Sequence, residues 1–350
     1  DVAYDYYGTR LALCTSSLRI SIFSAPGEES GAEGDWTETA RMERAHAGPI
    51  WRLSWGSPEF GEPLASCSED RVVMVWYCDP TVIRDGSPAV RKGGDGSITL
   101  PSWQRRAQLQ GEGPIVDVRF APPHLGLKLA ACTVDGKVRV FECVNRLDLR
   151  SWDSEDLEAE VHKAQPDASA ALPGEPCASA ALDWIRAPFG ASVDERGDVL
   201  AVGGSAGRLA LWGRESGGSG KWREVVSAEA HPVQKGGVKD VAWCPNLCRP
   251  YEIVATCGAG AKLWRVDFPS QDEGYGAPQS RRAPASGCRL QLLKELVSVD
   301  DEACPVWRCS WNLAGTTLAL SPESGELSVW KAGSTLEWEK DCWIEDTDNP

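Results

Sequence analysis

Apolar and polar residues alternate in short runs along most of the chain, a period of two that predicts half-buried strands and no long amphipathic helix. One run serves as a template. Leu64-Ala-Ser-Cys-Ser-Glu-Asp-Arg-Val-Val-Met-Val-Trp76 reads as a small-residue strand, a tight turn and a second strand closing on an aromatic side chain. Weaker copies close at Phe23, Phe141, Trp212, Trp264 and Trp330. Each copy follows a further apolar run, at Val2 to Tyr4, Ile50 to Trp55, Ile115 to Phe120, Ala181 to Trp184, Val238 to Trp243 and Val306 to Trp311. The same interval separates Trp55 from Trp76, Phe120 from Phe141 and Trp243 from Trp264. A repeat this short cannot bury its own apolar face and must stack on its neighbours. The pattern therefore predicts an all-β, open six-bladed β-propeller, one domain over 1–350, with blades near 1–45, 46–112, 113–178, 179–235, 236–303 and 304–350.

Polar stretches rich in Gly, Ser, Pro and acid, near 25–35, 83–113, 153–177, 213–236 and 269–288, read as surface loops. The basic pairs Arg105-Arg106 and Arg281-Arg282 fall in such loop-like sequence as solvent-facing charge. Strict alternation puts Trp51, Leu53 and Trp55 on one face of an inner strand. Asp135-Gly136 is a hairpin signal, because glycine tolerates the positive φ of such a turn.

Composition sharpens this picture. Sixteen Trp, most at fixed places in the repeat, read as packing between sheets. With 51 acidic against 36 basic residues the formal charge is −15, which argues against direct binding of nucleic acid. The 13 Cys form no regular framework; Cys14, Cys67, Cys132 and Cys257 sit beside small residues in strands, as small buried hydrophobes of a reducing compartment. There is no Asn-x-Ser/Thr acceptor, and no apolar run approaches the roughly 18 residues that cross a membrane. Cytosol or nucleus is the expected location; no signal peptide is seen, although a start at Asp1 leaves room for a missing leader.

Chemistry-bearing candidates are few. Gly203-Gly-Ser205-Ala-Gly207 matches a hydrolase nucleophile elbow but lies between two strands, not before a helix. Cys244, Cys248 and Cys257 with His231 lack the two close ligand pairs of a zinc site, and Cys304 with Cys309 makes no better pair. Gly217 to Gly220 lacks a phosphate-reaching Lys, and the acids from Asp153 to Glu160 read as a solvated face. No metal, cofactor, small-molecule ligand or catalytic residue is expected. In the second repeat His46, Ser66 or Ser68, Asp70 and Trp76 are placed for an internal hydrogen-bond chain like that of WD repeats, with a structural role. Asp135, Phe141, Trp212, Trp264 and Trp330 are the matching core positions elsewhere, while Ala206, Gly260 and Ser324 mark turns whose acid is lost.

The chain enters on an inner strand and leaves after a complete sixth blade, its outer strand read at Leu336 to Lys340, so either residues before Asp1 supply a clasping strand or the first and sixth blades meet without one. An open sheet edge and an uncovered apolar face are costly, and a partner that inserts its own strands would remove both. Two long phrases then carry a resemblance: Ile50 to Gly61 running into Leu64 to Asp70, and Val116 to Glu142 with Leu147 to Trp152. They resemble the WD-repeat family shared by nuclear-pore and COPII coats, and within it the Seh-type branch; Val306 to Asn312 is similar to that branch too. The resemblance implies an open propeller completed by a blade from an α-solenoid nucleoporin in the Y-shaped nuclear-pore coat, at the nuclear envelope. It also implies a role in the TOR-regulating SEA/GATOR-type complex at the vacuolar or lysosomal membrane. The expected seam comprises Val2, Tyr4 and Tyr6 on one side and Val306, Trp307 and Trp311 on the other. The competing readings are a COPII-type outer-coat subunit, and a closed propeller that reads peptides on its axial face.

Overall fold

The computed structural model describes residues 1–26, 36–78, 91–92, 98–99, 103–157, 180–186, 197–214, 220–247, 249–268, 287–297, 305–333 and 337–344. Cys248, Cys304, Arg281, Arg282 and Leu336 lie outside them, as do most of the stretches read as loops.

Six four-stranded antiparallel sheets follow one another along the chain. The first is β1 (Val2–Tyr4), β2 (Arg10–Thr15), β3 (Arg19–Ser24) and β4 (Thr37–Met42). The second is β5 (Ile50–Trp55), β6 (Leu64–Ser68), β7 (Val72–Cys78) and β10 (Trp103–Gln110), with the ribbon β8 (Arg91–Lys92) and β9 (Ile98–Thr99) between the last two. The third comprises β11 (Ile115–Phe120), β12 (Lys128–Thr133), β13 (Val138–Cys143) and β14 (Trp152–Leu157). The fourth comprises β15 (Ala180–Trp184), β16 (Asp198–Gly204), β17 (Arg208–Arg214) and β18 (Arg223–Glu229). In the fifth stand β19 (Asp240–Trp243), β20 (Glu252–Cys257), β21 (Ala261–Asp267) and β22 (Arg289–Val297). The sixth is β23 (Val306–Trp311), β24 (Thr317–Pro322), β25 (Leu327–Ala332) and β26 (Trp338–Ile344). This is an all-β, six-bladed WD-repeat propeller fold, open in that, among the described residues, no four-stranded sheet takes a strand from the opposite chain end.

Contacts divide the chain into two compact units, Asp1–Thr133 with Val138–Asp156, and Val134–Lys137 with Leu157–Pro350. The core of the first lies between neighbouring sheets: Ala65, Val73 and Val75 of the second pack with Val118, Leu129 and Phe141 of the third. In the second unit Ile253, Leu263 and Leu296 pack with Val306, Leu318 and Leu320 in the same way. Every closing aromatic holds one register. Phe23, Trp76, Phe141, Trp212, Trp264 and Trp330 stand opposite Leu11, Leu64, Leu129, Leu200, Val254 and Leu318.

Two sequence readings need correction. Arg105 and Arg106 belong to β10, and β18 likewise falls inside a stretch read as a loop. Outermost strands bury only scattered residues, as the pattern of β22 shows, so their alternation is too weak to stand out from polar loops. Strict alternation also fails on three inner strands. Trp51, Val116 and Trp307 are extra residues at register shifts, so Trp51 is 40% exposed although Leu53 is buried.

The turn from β16 to β17 depends on Gly207, at φ +73°, whose added Cβ would collide with the His231 carbonyl oxygen. Gly207→Ala is expected to lower stability by about 2 kcal/mol or more, read as a drop in melting temperature with the far-UV spectrum retained.

Candidate functional site

The first site candidate is internal to the second sheet. Trp76 Nε1 donates to Ser66 Oγ at 2.9 Å, and Ser66 stands 2.7 Å from His46 Nε2. His46 Nδ1 lies 3.0 Å from Asp70 Oδ2, whose carboxylate also accepts the Ala47 and Val72 amides. Donors and acceptors match in one direction only: indole N–H to serine, serine O–H to Nε2, Nδ1–H to carboxylate. Burial lowers the His46 pKa against the pull of Asp70. Ser, His and Asp in this order have the connectivity of a hydrolase triad, but Ser66 is fully buried and its oxygen already accepts an indole N–H. The arrangement is a packed, satisfied network.

The fifth sheet holds a second copy, built on Trp264, an expected core position, and on His231, which sequence reading places in a loop and weighs only as a metal or catalytic candidate. Trp264 Nε1 donates to Thr256 Oγ1 at 2.9 Å, and His231 Nε2 lies 3.1 Å from the same oxygen. No carboxylate reaches the other nitrogen; His231 Nδ1 is buried without a partner, and its ring lies against Gly258. Burial, followed by Lys262, lowers the His231 pKa to about 4. The acceptor is always two residues beyond the residue opposite the closing aromatic. There the fourth and sixth sheets carry Val202 and Leu320, and the Trp212 and Trp330 indole nitrogens are buried without acceptors. Leu13 and Ala131 fill the slot where the aromatic is Phe23 or Phe141, which needs no acceptor. Asp135, expected in the core, is instead exposed in the turn between β12 and β13, beside Gly136, which takes φ +81° there.

The buried cysteines among the described residues are packing residues. Cys67, Cys132 and Cys257 are buried and burial raises their thiol pKa values, which leaves them poor nucleophiles. Cys244 is pushed to about 11 by burial although Arg249 donates to its sulfur at 3.0 Å. Among the described residues no cluster of three His, Cys, Asp or Glu could hold a metal ion.

Contacts between sheets form the second candidate. The residues opposite Leu11, Leu64, Leu129, Leu200, Val254 and Leu318 are Tyr4, Trp55, Phe120, Trp184, Trp243 and Trp311. Immediately before or three before this aromatic, one sheet offers an acceptor to the next. Asp1 Oδ2 accepts the Leu53 amide at 2.8 Å and Asp240 Oδ2 the Cys309 amide at 3.0 Å. Ser54 Oγ accepts the Phe120 amide at 3.0 Å and Asp183 Oδ2 the Trp243 amide at 2.8 Å. The aromatic itself reaches back to the preceding sheet: Trp55 Nε1 donates to the Ala3 carbonyl at 2.9 Å and Trp311 Nε1 to Ala242 at 3.1 Å. It also meets a second ring edge to face, as in Trp55 with Trp103, Trp184 with Trp222 and Trp311 with Trp338.

On the first sheet the equivalent pair is Tyr4 with Trp36, centroids 5.9 Å apart. Tyr4 is 59% exposed, Val2 53% and Tyr6 67%, with Tyr6 edge-on to the exposed Tyr7. Asp5 holds this corner by accepting the Thr9 and Arg10 amides and the Arg10 guanidinium. The expected residues on β23 divide. Val306 is buried against its own unit, Trp311 is half-buried on Trp338, and Trp307 is exposed beneath Lys239, whose Nζ lies 4.6 Å from the ring centroid. Trp51 is exposed equally at the same bulge of the second sheet, so the exposure of Trp307 does not single out β23. Ser310 does: it is exposed where its counterpart Ser54 is buried.

Ser66→Ala strands His46 Nε2 and Trp76 Nε1 in the core and is expected to cost about 3 kcal/mol in chemical denaturation. The unfolded His231 imidazole takes up its proton near pH 6.5, whereas the folded one stays neutral to about 4. Stability should therefore fall as pH drops through that window, by about 3 kcal/mol at its lower end, and His231→Gln should flatten the slope of melting temperature against pH.

The family described as WD domain, G-beta repeat matches residues 38–77, the segment that holds the complete His46 network. Over 341 residues the chain is 29% identical to the nucleoporin SEH1 of Danio rerio, covering 97% of this chain and 82% of that protein. Nucleoporin SEH1 of Homo sapiens is 28% identical over 346 residues, with 97% and 82% covered. The solved β-propeller domain of Cps50 (Swd1) from Myceliophteria thermophila superposes with a TM-score of 0.58 over 99% of this chain and 86% of that one; at 16% identity the likeness is one of fold. The chain thus carries a WD-repeat match in its second sheet and is similar over nearly its whole length to proteins named nucleoporin SEH1.

Proposed function

We propose that this protein is a scaffold subunit of the Y-shaped nuclear-pore coat, held in place by a β-blade that an α-solenoid nucleoporin packs onto its first sheet. The exposed Tyr4–Trp36 pair carries the reading. Corresponding pairs at Trp55 and Trp311 accompany an indole that bonds to a preceding sheet, and the first sheet offers the same kind of face, with Val2 and Tyr6, to solvent. Single exposed aromatics are ordinary, whereas a contiguous apolar face in a repeated packing position is the mark of an interface. Similarity over 97% of the chain to proteins named nucleoporins supports the setting, the nuclear envelope, and a contribution to nucleocytoplasmic transport. The relatives are named for the pore alone, so the pore is favoured over the vacuolar TOR-regulating complex.

Burial of a blade face on each partner implies an interface of about 2,000 Å² or more, as in obligate complexes. Co-expression with the α-solenoid nucleoporin of the same cell should raise soluble yield and melting temperature. Tyr4→Glu should abolish co-purification and leave the circular dichroism of the isolated chain unchanged. Unchanged co-purification by the variant, or equal behaviour of the chain alone and with the solenoid, would count against this role.

A further inference from the structure

The sixth sheet repeats the second in its inner strand, Trp307-Arg308-Cys309-Ser310-Trp311 against Trp51-Arg52-Leu53-Ser54-Trp55, with the same bulge at the first Trp. What the second sheet does with this strand is visible. Ser54 Oγ accepts the amide of Phe120, and Arg52 Nε lies 3.5 Å from Asp117 Oδ1, three residues before that Phe. The next sheet therefore meets Trp-Arg-x-Ser-Trp with a strand reading Asp-x-x-aromatic: a carboxylate for the guanidinium and a backbone N–H for the hydroxyl. Ser54 is buried beneath that strand, whereas Ser310 is exposed.

From this internal precedent, and resting on the scaffold reading above, we infer that Ser310 and Arg308 form a docking code for a partner β-strand that carries an Asp or Glu three residues before a bulky residue. The partner's amide at the bulky residue donates to Ser310 Oγ. Its carboxylate approaches Arg308, as Asp117 approaches Arg52. Both groups are needed for register. A strand slipped by one residue turns its acid to the opposite face and presents no N–H to the serine. The code thus selects one register and one class of strand, where apolar packing alone would accept many.

The test uses the full chain co-purified with its solenoid partner. Ser310→Ala should weaken the complex about tenfold in a titration, the loss expected when a buried amide is left without its acceptor, and Ser310→Thr should retain binding. Neither variant should shift the melting temperature of the isolated chain. Cryo-electron microscopy of the complex should show the partner acid beside Arg308 and the partner amide on Ser310. Undiminished binding by Ser310→Ala, a partner strand without the acid, or the chain's own Asp1-Val-Ala-Tyr4 strand seated on Ser310 would each overturn the code. The scaffold role survives the first two results; failure of any solenoid to bind removes that role and the code together.

Discussion

A lone four-stranded sheet has inner-strand amides and two apolar faces that it cannot satisfy by itself, and this one constraint organises the molecule. The solution, repeated with changes, is a short polar side chain on one inner strand that accepts an amide of the next. Asp1, Asp183 and Asp240 do so with a charge, Ser54 without one. A charged acceptor contributes roughly twice as much as a neutral one, so these junctions differ in strength although their geometry is alike. The ring that sits over each junction contributes area, and its edge-to-face neighbour adds about 1 kcal/mol beyond that area. Sheets, not single residues, are therefore the units that cohere.

The same economy explains why a serine, a histidine and an aspartate in hydrogen-bond sequence do no chemistry here. A nucleophile needs a substrate-sized approach and a free oxygen, and Ser66 has neither. His46 is kept neutral by burial and oriented by Asp70, which suits a structural strut. Where the strut lost its acid, in the fifth sheet, the histidine persists with one nitrogen unpaired. Where it lost its hydroxyl, Trp212 and Trp330 remain for the area of their rings.

Sequence made the strands nearest the core legible because they alternate or are apolar throughout, and the closing aromatics fixed the repeat from Phe23 to Trp330. The outer strands were hidden: β10, β18 and β22 bury too little to set their polarity apart from loops. Bulges were hidden as well, since nothing in Ile50 to Trp55 marks Trp51 as the extra residue. The second histidine network could have been found by counting back from Trp264 to Thr256, but the turn there is shorter than at Ser66 to Trp76, which obscured the match. The face of Val2, Tyr4 and Tyr6 was readable from position, whereas Ser310 gained meaning only beside the buried Ser54.

Acceptors on the inner strands obey a parity. Asp1 and Asp240, which accept an amide of the next sheet, stand three before the aromatic in the first and fifth sheets; Ser54 and Asp183, which do likewise, stand one before it in the second and fourth; Asp117 and Ser310 occupy the corresponding places in the third and sixth. Within each unit a sheet of one kind follows a sheet of the other, so the character of an inner strand fixes which neighbour can be seated beside it without stranding an amide.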